Sequence, residues 1–137
     1  MDLAAIAKNY MSIWTFSNLH KLDTFADEDL LVDYSHFPEP VKGIENYKKV
    51  LEETYSYFPD ISITINELII AENRKEVTVR WTYKGTHKSG EIFGIKAEGK
   101  KVKVEGISIL RIENQKVISE KGIVDNMSLL GQLKSRE

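Results

Sequence analysis

Asp125 is the residue of this sequence whose type and position best suit acid–base chemistry. It directly precedes a short apolar segment, and Ser128 follows three residues later, which is the pattern of an aspartate that caps the N-terminus of a helix. The same carboxyl group could transfer protons if it lay in an apolar cavity that raised its pKa. Capping, proton transfer and a combination of both are therefore open interpretations of Asp125.

The three histidines are further candidates, and they lie on different predicted elements. They lack the four-residue spacing that places two ligands on one helix face, and the chain has no cysteine, so we expect neither a metal nor a cofactor. His87 ends a predicted strand, where it either holds the following loop or shuttles protons together with Glu91. His36 lies in a loop from which it could reach the mouth of a cavity.

Polar and aromatic residues of the predicted strands and the first helix complete the candidate site. Ser108 lies mid-strand among apolar neighbours, where its hydroxyl is either satisfied within the core or orients a ligand. Trp81 and Tyr83 share one face of another strand, and we expect them to line a cavity, pack in the core or form a subunit interface. Trp14 makes the first helix unusually aromatic, so this helix must pack on a large surface.

Hydrophobic periodicity predicts the elements that position these residues. Helices are expected at 3–19, 21–26, 43–57 and 126–133, and strands at 30–34, 61–71, 76–88, 100–113 and 116–124. Asp2 is the expected N-cap of the first helix. Helices that precede long antiparallel strands indicate an α+β fold with the helices on one face of the sheet. Long strands coil strongly, so the sheet should enclose a concave cavity suited to a ligand.

Composition limits the classes of partner that the chain can have. Its 137 residues fit one domain spanning 1–137, with 42% hydrophobic and 29% charged residues. The formal net charge of −2 gives no basic excess, so we expect no nucleic acid partner. Neither a secretory signal nor an apolar run of bilayer-spanning length is visible, so we expect a cytoplasmic protein without a membrane partner.

The second half of the chain, from 81 to 133, carries a more specific pattern. It includes the runs VRWTYKGTH at 79–87, GISILRI at 106–112 and LLGQL at 129–133. In order and spacing these runs resemble the SnoaL-like polyketide cyclase family of the nuclear transport factor 2-like superfamily. The resemblance implies a cone-shaped α+β barrel, in which a strongly curved antiparallel sheet packs over N-terminal helices, as in nuclear transport factor 2-like and cystatin-like folds. It also implies a homodimer.

The resemblance assigns roles to some of the candidate residues. Asp125 falls on the aspartate that serves as general acid and base in the cyclases. Ser108 stands where some cyclases have histidine, and Lys121 stands where family members usually have tryptophan. Tyr34 follows Asp33, a partial match to the aspartate base and tyrosine donor of ketosteroid isomerases. The predicted substrate-binding residues are Trp14, Tyr34, His36, Trp81, Ser108 and Lys121.

Two functional hypotheses follow from the resemblance and the predicted cavity. The first is an enzyme without a cofactor, which performs an intramolecular aldol cyclisation or an isomerisation on a small apolar carbonyl compound through Asp125. The second is a non-catalytic module that binds a small hydrophobic molecule in the same cavity. A third possibility is an interaction protein with a collapsed cavity and a dimeric sheet. The sequence leaves open whether the protein is an enzyme and which substrate it takes.

Overall fold

Four α-helices and eight β-strands are described over residues 1–135 of a computed structural model. The helices are α1 (Leu3–Met11), α2 (Lys21–Phe25), α3 (Ile44–Tyr57) and α4 (Asn126–Lys134). The strands are β1 (Ala26–Tyr34), β2 (Val41–Lys42), β3 (Ser62–Ala71), β4 (Glu76–Thr86), β5 (Glu91–Ile92), β6 (Ile95–Lys96), β7 (Lys101–Glu113) and β8 (Lys116–Val124). The expected domain bounds, 1–137, include residues 136 and 137, which lie outside the described residues.

The N-terminal helix is shorter than the predicted range of 3–19. Its N-cap is the expected Asp2, whose carboxylate accepts a hydrogen bond of 2.8 Å from the amide of Ala5. The α-helix ends at Met11 and is followed by two 3₁₀ turns, which are separated by Thr15 in an extended conformation. The prediction was wrong in extent because 3₁₀ turns keep a three-residue spacing, so the apolar periodicity continues beyond the α-helix.

The main sheet has the strand order β2-β1-β8-β7-β4-β3. All of its neighbouring strands are antiparallel except β1 and β8, which pair in parallel. The four long strands that periodicity predicted are therefore present, and the predicted strand at 30–34 begins earlier, at Ala26. A small hairpin of β5 and β6 lies in the connection between β4 and β7, apart from the main sheet.

The helices cover one face of the curved sheet and form the core with it, which confirms the predicted α+β class. Inward-facing residues of β7 alternate with exposed ones along the whole strand. Two glycines on the inner face leave room for large rings, because a Cβ at Gly106 would lie 2.3 Å from the Trp81 ring and one at Gly122 would lie 2.2 Å from the Tyr34 ring. These two rings therefore lie close against the backbone of the sheet at the glycines, beside the candidate site.

In the part of the chain from 1 to 135, no helix combines the length and the apolar character needed to cross a membrane.

Candidate functional site

A cavity of about 360 Å³ lies between the sheet, α3 and the β5–β6 hairpin. Its lining is mostly aromatic and aliphatic, with polar groups at a few points. The lining residues include Trp14, Tyr34, His36, Phe37, Val50, Glu53, Tyr57, Phe58, Tyr83, Phe93 and Leu129. A concave, largely apolar space with few polar groups is the usual form of a small-molecule site.

Stacked rings form one wall of this cavity. The Trp14 ring lies nearly parallel to the Tyr83 ring, with centroids 6.5 Å apart and an interplanar angle of 11°. It also stacks on Trp81 at 6.3 Å and meets the edge of Tyr34 at 6.4 Å. The 3₁₀ turn after α1 delivers Trp14 to this position. Such a wall favours a flat, ring-containing ligand.

The Tyr83 hydroxyl is a polar group left available in the cavity. Among residues 1–135 it makes no hydrogen bond, and burial raises the pKa of Tyr83 above its usual value, so the group remains a protonated donor. The nearby Tyr57 differs, because its hydroxyl donates to Glu53 Oε1 at 3.1 Å. Tyr83 can therefore donate a hydrogen bond to a ligand oxygen without losing a bond to the protein.

His36 lies at the mouth of the cavity, next to Phe37. Partial burial lowers the pKa of His36 from its usual value of 6.5. The imidazole is therefore mostly neutral at neutral pH and can accept a proton.

A buried carboxyl group lies behind the Tyr34 side of the cavity wall. Glu120 is fully buried, and three hydroxyl groups contact its side chain. Tyr10 donates to Oε1 at 2.6 Å, whereas Ser108 at 2.8 Å and Tyr34 both contact Oε2. Burial raises the pKa of Glu120, although the three hydroxyl contacts oppose that shift. We call Tyr10, Tyr34, Ser108 and Glu120 the carboxyl cluster.

Trp81 and Ser108 lie in this second layer rather than at the cavity surface. The Trp81 indole donates to Ser108 Oγ at 3.0 Å, and both side chains are buried. Five of the six predicted substrate-binding residues thus fall into two groups. Trp14, Tyr34 and His36 line the cavity, whereas Trp81 and Ser108 support its wall.

Asp125 and Lys121 do not line this cavity. The Asp125 carboxylate accepts a hydrogen bond from the amide of Ser128 at 3.0 Å and caps α4. Both residues are exposed and border a wide groove on the outer face of the sheet, although the neighbours Val124 and Asn126 reach the inner cavity. The geometry is that of a helix cap, and the acid–base role of Asp125 stays a prediction.

The outer-face groove has a volume of about 940 Å³ and an apolar floor. Ile107, Ile109 and Ile123 form this floor and are 46%, 43% and 64% exposed. Charged residues of both signs surround it, namely Asp33, Arg80, Glu105, Lys121 and Asp125. An apolar centre with a charged rim is the usual composition of a protein interface.

His87 is buried at the start of the connection that carries the β5–β6 hairpin. Its Nε2 lies 2.9 Å from the carbonyl oxygen of Gly90, and its amide donates to the carbonyl of Lys100. Its ring also contacts Tyr57 and Phe58. Through these contacts His87 holds the hairpin that borders the cavity, which is the structural role considered for it from the sequence.

Glu120 and Tyr10 are the site residues that the candidate list from the sequence lacks. In the sequence, Glu120 is one residue of a predicted strand and Tyr10 belongs to the apolar periodicity of the first helix. Glu120 shares the inward direction of Gly122 on β8, two residues later, but alternation counted from Val117 predicts the opposite direction. For Tyr10 the sequence contains no local signal that separates a cluster member from an ordinary core residue.

Comparisons with known structures agree with this fold. TsrD from Streptomyces laurentii superposes with a TM-score of 0.83 at 22% identity, covering 98% of each chain. A candidate polyketide cyclase from Acidithiobacillus ferrooxidans gives 0.84 at 21% identity, covering 96% of this chain and 94% of the other. A protein with a ketosteroid isomerase-like fold from Catenulispora acidiphila, in complex with trimethylamine, gives 0.75 at 20% identity, with coverage of 93% and 90%. These similarities show the fold.

Sequence comparison gives the family. A search among curated proteins finds no match. The sequence model of the SnoaL-like polyketide cyclase family, by contrast, matches residues 4–133, nearly the whole chain. The match includes the N-terminal helices as well as the strands on which the resemblance first rested. The chain therefore belongs to the SnoaL-like polyketide cyclase family.

Proposed function

We propose that the inner cavity binds a small, mostly apolar carbonyl compound and promotes proton transfer at the carbon beside the carbonyl, without a cofactor. The observation that carries this proposal is the unpaired Tyr83 hydroxyl in an aromatic cavity with a neutral imidazole at its mouth. A donor held in an apolar environment stabilises negative charge on oxygen much better than water does. The family membership supports the class of reaction.

Each group in the proposed reaction has one task. Tyr83 donates a hydrogen bond to the carbonyl oxygen, and His36 accepts a proton from the adjacent carbon. The electrons of the broken C–H bond form the enolate, whose oxygen carries the negative charge near Tyr83. The enolate carbon then attacks a second carbonyl of the same molecule, and the alkoxide that forms takes the proton back from His36. Alternatively, where the enolate is conjugated with a carbon–carbon double bond, that proton returns to the far carbon of the conjugated system. The first outcome is an aldol cyclisation and the second is an isomerisation.

Deuterium exchange into β-tetralone tests the first step. This bicyclic ketone has acidic protons beside its carbonyl, and their replacement by deuterium in heavy water is followed by proton NMR. Tyr83→Phe is expected to lower the protein-catalysed exchange rate about 10- to 100-fold, because one hydrogen bond to the developing enolate oxygen is lost. His36→Gln should lower it by a similar factor because the proton acceptor is removed.

Tyr57→Phe is the matched control for Tyr83→Phe. It also removes a hydroxyl beside the cavity, but that hydroxyl is already bonded to Glu53. We expect the exchange rate of this variant to stay within about twofold of the wild type. An equal loss in the two tyrosine variants, or no loss in either, would contradict the role of Tyr83.

Asp125→Asn separates capping from proton transfer. Asparagine caps a helix about as well as aspartate, so the free energy of unfolding should change by only a few tenths of a kcal/mol, whereas Asp125→Ala should cost about 1 kcal/mol. Because the carboxylate borders the outer groove, we expect Asp125→Asn to keep the exchange rate within about twofold. A large loss of exchange in a stably folded Asp125→Asn variant would instead assign the proton transfer to this residue.

A non-catalytic binding module is the second candidate function. It is favoured by the position of the two carboxyl groups, since Glu120 is sealed behind the wall and Asp125 caps a helix. If the protein only binds, β-tetralone should still bind in the cavity and Tyr83→Phe should still weaken that binding. The rate of deuterium exchange should then not exceed the rate in buffer. Binding and exchange measured on the same sample therefore distinguish the two functions.

We also propose that two copies of the chain associate through the outer groove. Its apolar floor and its rim of both charge signs allow the same surface to face itself across a twofold axis. Ile107→Glu is expected to shift the protein from dimer to monomer in sedimentation experiments, because it buries a charge in the centre of that interface. Phe16→Glu, an exposed apolar residue on a 3₁₀ turn outside the groove, should leave the dimer intact.

A further inference from the structure

The carboxyl cluster contains an acidic group without a cation. Among residues 1–135, no lysine, arginine or histidine forms an ion pair with Glu120. Its neighbours are hydroxyl groups from several different elements: Tyr10 on α1, Tyr34 on β1 and Ser108 on β7. A charged carboxylate that is fully buried with neutral partners only is costly.

The number of hydrogens in the cluster distinguishes two protonation states. Glu120 Oε2, the Tyr34 hydroxyl and Ser108 Oγ form a triangle of three mutual contacts, and the Tyr34–Ser108 side measures 3.2 Å. If the carboxyl group is ionised, both hydroxyls donate to it and no hydrogen remains for the contact between them. The indole N–H of Trp81 donates to the Ser108 oxygen, so it cannot provide a hydrogen for the contact between Ser108 and Tyr34.

One additional proton completes the triangle. A proton on Oε2 is donated to Tyr34, the Tyr34 hydroxyl donates to Ser108, and Ser108 donates back to Oε2. Tyr10 still donates to Oε1 in this arrangement. Each of the four contacts then contains one hydrogen, which satisfies every polar atom of the ring.

We infer that Glu120 is a neutral carboxylic acid in the folded protein and acts as a positioning residue, whose proton closes the ring that fixes Tyr34 and, through Ser108, Trp81. The raised pKa of Glu120, caused first by burial, agrees with this state. The titratable groups that face it are Tyr10 on α1, Tyr34 on β1 and Tyr47 on α3, and burial raises the pKa of all three, so they stay neutral.

The cavity wall depends on this ring. Tyr34 lines the cavity directly, and Trp81 supports Trp14, whose ring stacks on it. If Glu120 were replaced by a side chain that cannot bridge the hydroxyls, Tyr34 and Trp81 would lose their shared anchor. The effect on a bound ligand rests on the proposed function, whereas the protonation state and the anchoring do not.

Infrared spectroscopy tests the protonation state without any ligand. A protonated carboxylic acid has a carbonyl stretching band that ionised carboxylates lack. We expect the wild type to show this band at neutral pH, Glu120→Gln to lose it, and Glu53→Gln, which removes an exposed carboxylate, to keep it. Absence of the band in the wild type, or its persistence in Glu120→Gln, would overturn the inference that Glu120 is protonated.

Two substitutions at Glu120 test the positioning role. Glutamine is neutral and still reaches all three hydroxyls, because its oxygen accepts from Tyr10 and its amide donates to Tyr34 and Ser108, whereas alanine contacts none of them. Without ligand, the indole N–H resonance of Trp81 should keep its position in Glu120→Gln and move in Glu120→Ala. The dissociation constant of β-tetralone should change less than threefold with glutamine and rise about tenfold or more with alanine.

These readouts separate the inference from the proposed function. If β-tetralone does not bind even to the wild type, the proposed function fails, while the infrared band and the indole resonance still decide the state and the role of Glu120. If Glu120→Ala does not fold, Glu120→Gln alone remains decisive. A displaced Trp81 resonance in Glu120→Gln would overturn the positioning role, because a neutral side chain that reaches the same hydroxyls would then fail to hold Trp81 in place.

Discussion

Glu120→Ala is expected to lower the free energy of unfolding by about 3–5 kcal/mol. The substitution leaves three buried hydroxyl groups, those of Tyr10, Tyr34 and Ser108, without their partner. It also leaves a cavity beside them, which adds to the cost of the substitution. A buried hydroxyl that is left unpaired costs about 1–3 kcal/mol. Tyr34 and Ser108 can still pair with each other, so this cost falls mainly on Tyr10, and together with the cavity it exceeds the cost of an ordinary surface substitution.

Urea unfolding followed by circular dichroism measures this loss. Glu53→Ala is the matched control, because Glu53 is an exposed carboxylate that bonds one tyrosine hydroxyl, and we expect it to cost at most about 1 kcal/mol. A loss below about 1 kcal/mol for Glu120→Ala would mean that water replaces the carboxyl group in the cluster. The cluster would then not be the anchor described above.

The same carboxyl group gives a definite sign to the dependence of stability on pH. Burial raises the pKa of folded Glu120 above its usual value of 4.5. The neutral acid therefore makes its full contribution to the free energy of unfolding at pH values below 4.5. This contribution is lost as the pH rises through the pKa of Glu120 in the folded state. Glutamine does not titrate, so the stability of the wild type relative to Glu120→Gln should decrease with rising pH.

Gly122→Ala is expected to cost about 2–3 kcal/mol. The added Cβ would lie 2.2 Å from Cε1 and 2.6 Å from Cδ1 of Tyr34. The Tyr34 ring is almost fully buried and its hydroxyl is held by Glu120, so it cannot swing away without breaking the cluster. Ring displacement toward the cavity should also weaken the binding of β-tetralone.

Gly131→Ala is the matched control for this glycine substitution. Gly131 lies in α4, and an added Cβ there meets no atom within 4 Å. Alanine is the better helix former, so we expect this variant to be up to about 1 kcal/mol more stable than the wild type. Equal stability of the two variants in urea unfolding would show that Tyr34 is free to move, contrary to the proposed anchoring.

Much of the fold could be predicted because it depends on local patterns. Apolar periodicity located the long strands, and Asp2 marked the start of α1. The parallel pairing of β1 with β8 could not be predicted, because these strands lie far apart in the sequence and no local pattern records which strand pairs with which. The 3₁₀ turn that carries Trp14 could not be distinguished from an α-helix, because its apolar residues recur at a similar spacing.

A bulge in β8 explains why the candidate site could be predicted only in part. Ile112 pairs with Val117, but Arg111 pairs with Ser119, so one residue of β8 is extra. Simple alternation from the buried Val117 would turn Lys121 inward and Glu120 outward. The bulge reverses both directions, so Glu120 joins the core and Lys121 faces the outer groove. A register change of this kind leaves no mark in composition or spacing.

The central claim is that the ligand site is the cavity between the sheet and the helices, rather than the outer groove. The chain has two tryptophans, so a spectrum of its indole N–H groups contains two resonances, and Trp14 lines the cavity. Titration with β-tetralone should shift the Trp14 resonance until it saturates, and Tyr83→Phe should weaken that binding about tenfold. Unchanged indole resonances, with saturable shifts confined to Ile107, Ile109 and Ile123, would contradict the claim.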